Sequence, residues 1–392
     1  MNILLVEPKK SKNWGKNNQY VGLLRIGNWL IQEGNNVQYI QFPNLPKFVP
    51  DEIYVTSMFT YDYKMVWDAI DFYKKRYPKS YIRLGGIYAT ICPDHTAKSG
   101  ADEVIAGQHP EGKEYPPDPS ILPYEQDFAY LFTSYGCNRA CTYCATHILY
   151  GAGIRQLSPD RVLSDIVFLR KKGFKKIYFG DDNILYNSEN HINKVLEEII
   201  RNKIKVEIHI PGGMAGKDFT KETAFLMKKA GVTEISFAIE SVSADVRKKM
   251  GRAKGTTEDD LETALQYADA AGFKRNEINT YFIIGLPYQK VEDMSETLVY
   301  LLKLGVWAHP QRLTPIPNTI DWKRMKLENV DYSDLDYKTF VAPSEDFTED
   351  DLDKIYKIAR YYNIGNRYTG GYNIFTDDSK VSNKVNEVIR KE

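Results

Sequence analysis

Three of the four cysteines in this 392-residue chain fall within eight positions: Cys137, Cys141 and Cys144, in the stretch Ser134-Tyr135-Gly136-Cys137-Asn138-Arg139-Ala140-Cys141-Thr142-Tyr143-Cys144. A loop with the spacing C-x3-C-x2-C can aim three thiolates at three corners of one small inorganic cube. A 4Fe-4S cube has four irons, so three cysteines leave one iron open to a substrate or cofactor. A zinc site, completed by Cys92 or His147, is the second reading of the same residues. Structural zinc sites usually carry two C-x2-C knuckles, and here there is one, Cys141 to Cys144. A disulfide framework needs more cysteines and an exported chain. The spacing favours iron–sulfur and leaves a non-catalytic, zinc-bearing binding scaffold as the reading from another class.

With an aromatic residue, Tyr143, directly before the last cysteine, the motif resembles the signature of the radical S-adenosylmethionine (SAM) enzymes. In that family the amino and carboxylate groups of SAM chelate the open iron. One electron from the cluster then cleaves SAM to methionine and a 5'-deoxyadenosyl radical, which abstracts hydrogen from substrate. The cofactors carry that chemistry, and the protein supplies orientation and exclusion of water. The resemblance implies a 4Fe-4S cluster on Cys137, Cys141 and Cys144, SAM beside Tyr143, and an electron donor such as flavodoxin or ferredoxin.

Composition narrows the setting. Hydrophobic residues make up 43% of the chain, enough for two domains or one large barrel with additions. Basic and acidic residues balance at 52 each, so no net field points to nucleic acid or a membrane surface. The 28 tyrosines read as a tyrosine-rich core. No apolar run approaches the ~20 residues of a transmembrane helix. Met1 to Pro8 is too short, and too soon followed by lysines, for a signal peptide. The expected setting is cytoplasmic and reducing, with a small molecule or peptide as substrate.

Residues 1–110 alternate strand and helix: strands at Asn2–Val6, Val37–Phe42, Glu52–Met58, Tyr81–Leu84 and Val104–Gly107, with helices over 20–33 and 63–76. That order predicts a doubly wound parallel sheet. Its landmarks resemble the cobalamin-binding-type domain that precedes many radical SAM barrels. Tyr20-Val21-Gly22-Leu23 stands for a "P-x-G-L" helix start, Thr56-Ser57-Met58 for a small polar strand end, and Gly85-Gly86-Ile87-Tyr88-Ala89-Thr90 for a GG turn. Glycines at the carboxyl end of a parallel strand let a flat ligand approach the backbone, so Ser57, Gly85 and Gly86 are candidate cofactor contacts. The departures are equally specific. The cobalt-ligating D-x-H-x-x-G is absent, a Pro-rich stretch replaces the second helix, and Ala106 to Pro110 replaces an acidic glycine turn. Cobalamin binding and a vestigial domain both stay open. Cys92 reads as an incidental buried thiol.

Residues 111–125 carry prolines and acids and read as an extended linker. From 126 to 320 the chain repeats strand then helix about six times, predicting a partial (β/α)6 barrel whose active residues lie at the carboxyl ends of strands. Ser158 and Pro159 open the first helix. The strand ends resemble radical SAM landmarks, and the implied cofactor contacts follow from that likeness. Gly180-Asp181-Asp182 faces the SAM amino group or ribose. Glu240-Ser241 matches a "G-x-E-S" ribose turn with Ala238 in place of glycine. Gly285 lies in "I-x-G-L-P", beside adenine. Pro315 to Thr319 resembles "P-x-P-G-T", where Asn318 can hold the left-handed turn. The arginine-rich stretch many relatives carry near Met214 is missing, which implies a divergent site for the SAM carboxylate.

Residues 321–392 read as a small, mostly helical region, with a helix over 348–363 and a loop at 368–372, that covers the barrel's open side or packs on it. The sequence alone thus predicts an α/β enzyme: a doubly wound sheet, a partial radical SAM barrel and a helical tail. The chemistry implied is cobalamin-dependent methylation or rearrangement at an unactivated carbon, or cobalamin-independent hydrogen abstraction.

Overall fold

The computed structural model describes residues 1–8, 19–252, 255–336 and 339–369. Five parallel strands form the first sheet: β1 (Asn2–Glu7), β2 (Asn36–Gln41), β3 (Glu52–Ser57), β4 (Tyr81–Gly86) and β5 (Glu103–Val104), in the order β2-β1-β3-β4-β5. Alternation along β1 builds both faces. Ile3 and Leu5 pack against Leu23, Leu24 and Leu30 of the helix Val21–Gln32, while Leu4 and Val6 pack against Val66, Ala69 and Ile70 of the helix Tyr63–Arg76. Each such side chain, fully buried, contributes roughly 1.5–3 kcal/mol. No helix occurs in residues 42–51, as the prolines there require.

The second sheet is a six-stranded parallel arc of β6 (Phe128–Leu131), β9 (Lys176–Phe179), β10 (Glu207–Met214), β11 (Val232–Glu240), β12 (Ile278–Ile284) and β13 (Trp307–Arg312). Between β6 and β9 lies an antiparallel hairpin of β7 (Ser134–Cys137) and β8 (Gly153–Gln156), which the sequence did not suggest. Helix starts follow their caps. Ser158 accepts from the Arg161 N–H, Thr257 and Asp260 form a reciprocal box, and Gly231 ends its helix at φ 97°.

An open arc has two edge strands with unpaired backbone groups, and side-chain amides occupy both. Gln19 donates to the Phe128 carbonyl (2.9 Å) and accepts from the Tyr130 N–H (3.1 Å) on β6. Asn363 accepts from the Ala308 N–H (3.0 Å) and donates to the Ala308 carbonyl (2.8 Å) on β13. The first comes from the N-terminal region and the second from the tail helix, which therefore covers one open side of the arc. That helix runs Glu349–Thr369, beyond the expected end at 363, so Tyr368 and Thr369 are helical; residues 370–372 of the expected loop lie outside the described ones.

The extended linker expected over residues 111–125 packs against the first helix. Arg25 and Asn28, both buried, donate to the carbonyls of Lys113 and Pro116 and draw this segment onto the first helix. Buried polar groups of a helix need partners, and linker carbonyls supply them.

A polar chain lies across the amino ends of the barrel strands. His209 stacks on Tyr178 (4.6 Å) and bonds Glu207 (2.6 Å) and Glu234 (3.2 Å); Asn279 links Glu234 to His309. Burial disfavours the His209 cation, but the bonds to Glu234 and Glu207 outweigh it and raise its pKa, while the His209 bond lowers that of Glu234. A raised histidine contributes stability that is full below its ordinary value near 6.5 and is lost as pH rises through the folded value. A lowered carboxylate contributes above its ordinary value and loses it on acidification. The melting temperature should therefore fall between pH 6 and pH 8 in part through His209. His209→Gln should flatten that fall in a calorimetric scan, and parallel pH profiles for the two proteins would refute the assignment.

Candidate active site

The hairpin delivers the cysteines. Cys137 ends β7, opposite Gly153 of β8, and the chain then turns through Cys141 and Cys144 into a short helix at Thr146–Tyr150. Segments far apart in sequence hold this loop. Asp182 accepts from the Gly136 N–H (3.2 Å) and the Thr146 hydroxyl (3.3 Å), and that hydroxyl is 3.1 Å from Cys144 Sγ. The Thr142 N–H donates to the Met250 carbonyl at 3.0 Å. Gly251 has φ 73°, and a Cβ there would lie 2.6 Å from the Ala140 carbonyl, so this close approach needs glycine.

Burial pushes the Cys137 and Cys144 thiols up, and the neighbouring cysteines add to the rise. Among the described residues no three His, Cys, Asp or Glu side chains form a ready-made metal-holding group. The donor chemistry still fits a cluster with an open iron: three thiols from one loop and no obvious fourth ligand. Cys92 packs with Tyr88, Ile91 and Ala145, and burial pushes its thiol up to about 11 despite a bond with Tyr332. His147 is exposed.

Above the loop, Tyr143 donates to Glu240 Oε1 at 3.0 Å, and Arg252 Nη1 approaches that oxygen (3.4 Å), the Tyr143 hydroxyl (3.4 Å) and Cys141 Sγ (3.6 Å). Glu240 reaches this position from a left-handed backbone, φ 67°. Arg252 is 8% exposed, and its Nε and Nη2 have no partner among the described residues. A buried guanidinium edge without acceptors, beside a cluster cysteine, fits the carboxylate of SAM, which can take two parallel N–H bonds. Arg252 is a candidate for the cation missing near Met214. Sequence reading passed it over, although that absence was itself a reason to look for an arginine at another strand end.

Other expected contacts have different tasks. Asp181 is 5% exposed, and its carboxylate accepts from the Thr133 N–H, the Thr133 hydroxyl (2.7 Å) and the Ser134 hydroxyl (2.6 Å). Burial raises its pKa while these donors oppose the rise. Through these bonds it ties the end of β9 to the start of the hairpin. At Gly180, which is half-buried, a Cβ would sit 2.9 Å from the Phe132 ring. The Ser241 hydroxyl is buried and accepts from the Ser243 N–H. Gly285, φ 85°, donates its N–H to Met294 Sδ (3.3 Å) at the end of β12.

A cavity lies between the first sheet and the hairpin. It measures about 240 Å³ and is lined by Ser57, Gly85 and Gly107 on one side and Phe132, Tyr135 and Leu149 on the other. The Ser57 hydroxyl donates to the Gly85 carbonyl (2.7 Å). Gly86 (φ 105°) is needed for contact within the sheet, since a Cβ would meet the Ser57 carbonyl at 2.1 Å; at Gly85 the nearest atom is 3.8 Å away.

Comparison with known proteins agrees with this geometry. Residues 131–301 match the model of the radical SAM superfamily. An uncharacterised methyltransferase of Pyrococcus horikoshii is 29% identical over 218 residues, 53% of this chain and 45% of that protein. The bacteriochlorophyllide d C-12(1)-methyltransferase of Chlorobaculum tepidum is 23% identical over 304 residues, 75% of this chain and 61% of that one. The matches thus span less than two thirds of these relatives. In fold, the radical SAM methyltransferase TsrM of Kitasatospora setae, solved with cobalamin and a 4Fe-4S cluster, superposes with a TM-score of 0.70 at 14% identity, covering 100% of this chain and 98% of that one. No described helix is long and apolar enough to cross a membrane. The cysteine loop and most of the partial barrel fall within the matched segment: residues 131–301 form a radical SAM domain, a fold that implies a 4Fe-4S cluster and SAM.

Proposed function

We propose that this is a methyltransferase-like radical SAM enzyme acting on an unactivated carbon of a small molecule or peptide, with a corrinoid held by residues 1–110 against the barrel of residues 126–320. Cys137, Cys141 and Cys144 hold the cluster, Arg252 receives the SAM carboxylate, and Glu240 with Tyr143 fixes Arg252. Once bound, the cluster and SAM supply the electron and the hydrogen-abstracting radical. The chain's own work is to bind, orient and keep water away.

The observation that carries the corrinoid is the cavity's place. It opens at the carboxyl ends of parallel strands, where such sheets bind ligands, and its opposite wall includes Tyr135 of β7, the strand that ends in Cys137. Its lining carries Arg25, Arg83 and Lys113 and no described carboxylate. The methyltransferase relatives and the cobalamin-bound TsrM fold support the same reading. One observation favours a second reading, a cobalamin-independent enzyme with a vestigial first domain: about 240 Å³ is below the ~300–1,000 Å³ usual for ligand sites.

Anaerobic reconstitution with hydroxocobalamin, with iron, zinc and corrinoid measured on one sample, separates them. About four irons with one corrinoid per chain supports the first reading, and about four irons without corrinoid moves the function to the second. Gly85→Leu, which fills the cavity from an open position, should abolish corrinoid uptake and leave iron unchanged; undiminished uptake would place the corrinoid elsewhere.

A further inference from the structure

The middle of the cysteine loop is held from beyond the matched barrel segment. Thr142 stands between Cys141 and Cys144. Its carbonyl accepts from the Asp321 N–H (3.0 Å), and its hydroxyl donates to Asp321 Oδ2 (2.7 Å). Asp321 begins the short helix Ile320–Arg324 at its second residue and is 1% exposed. The same Oδ2 accepts from the Tyr288 hydroxyl (3.3 Å), and Oδ1 accepts from Arg324 Nη1 (2.8 Å). That arginine nitrogen also donates to the Lys249 carbonyl (3.0 Å), just before Met250 receives the Thr142 N–H. One buried carboxylate therefore gathers the cysteine loop, the turn after β12, the segment that carries Arg252, and the chain after β13.

We propose that Asp321 is a positioning residue of the iron–sulfur site. Acting through Thr142, it sets the backbone between the second and third cysteines so that their sulfurs meet one cluster. This rests on the radical SAM assignment and extends the functional unit past residue 301, where the family match ends. A carboxylate suits the position, because both its oxygens accept and its charge strengthens the bond to Arg324. An asparagine amide keeps the shape but loses that charge, and its NH2 group obliges the two hydroxyls to turn and accept where they now donate.

The test uses the full chain, reconstituted anaerobically, and follows cluster loss to an iron chelator by absorbance, with the electron paramagnetic resonance spectrum of the reduced cluster as a second readout. Asp321→Asn and Thr142→Val should lose the cluster about tenfold faster than the parent or more, with an altered spectrum. Thr142→Ser, which keeps the hydroxyl, should stay near the parent. The double variant should be no worse than the poorer single one, since both remove the same bond. Leu298→Ala, fully buried in the helix Val291–Lys303, serves as the control for general destabilisation and should leave the loss rate near the parent's. Parent-like rates in Asp321→Asn and Thr142→Val would overturn the proposal, as would equal acceleration by Leu298→Ala at a matched melting temperature. If Asp321→Asn does not fold, the Thr142 pair decides alone.

Discussion

Cys141→Ala should reduce iron in the reconstituted protein from about four per chain to less than about one, and SAM cleavage should fall to background. Cys141 is the buried cysteine of the loop, flanked by the Gly251 contact at Ala140 and the Thr142 tether, so the backbone cannot swing another ligand into its place. Cys137→Ala and Cys144→Ala should behave alike, because two thiolates do not retain a cube that three hold. Cys92→Ala should keep its iron, since that thiol is a neutral group packed among Tyr88, Ile91 and Ala145. Metal analysis and absorbance on the four variants decide the matter. A Cys92→Ala protein without iron, or a Cys141→Ala protein with a full complement, would be incompatible with the site described.

The second large effect is expected at Arg252. Arg252→Ala should weaken SAM binding about 10- to 100-fold while iron content stays near the parent's, since charge-assisted paired bonds carry roughly 1.5–3 kcal/mol. Arg252→Lys keeps the charge but loses the flat fork, and should fall between. Removing the guanidinium also leaves the Glu240 carboxylate, 8% exposed, without its cation. Arg252→Ala with Glu240→Gln should therefore melt higher than Arg252→Ala alone without recovering SAM affinity. Equilibrium dialysis of SAM on cluster-loaded protein is the deciding measurement. Unchanged affinity in Arg252→Ala would assign the orphaned nitrogens to something other than SAM.

Much of the fold was written locally. Alternation of apolar residues in Asn2–Glu7, the Ser158-Pro159 start and the Gly231 stop act within a few residues, so the sequence displays them directly. Asn318, expected to hold a left-handed turn, does so at φ 70° and adds a bond to the Ile91 carbonyl (2.8 Å). The β7–β8 hairpin was not legible, because Ser134-Tyr135-Gly136-Cys137 is short and its partner lies beyond the cysteines. The task of Asp181 was hidden for a related reason. A pair of carboxylates at a strand end looks the same whether one faces a ligand or the neighbouring strand, and only the position of Thr133 and Ser134 decides.

Residue types and spacing by themselves narrowed the cysteine loop to an iron–sulfur or a zinc site and set the order of most strands and helices, and the resemblance of the motifs implied the superfamily chemistry. The tertiary structure decided which polar groups face the cofactors and which hold the frame. Glu240, Arg252 and Asp321 meet the loop across roughly a hundred residues or more, and a hydrogen bond is chosen by distance in space, about 3 Å between heavy atoms, whatever the separation along the chain.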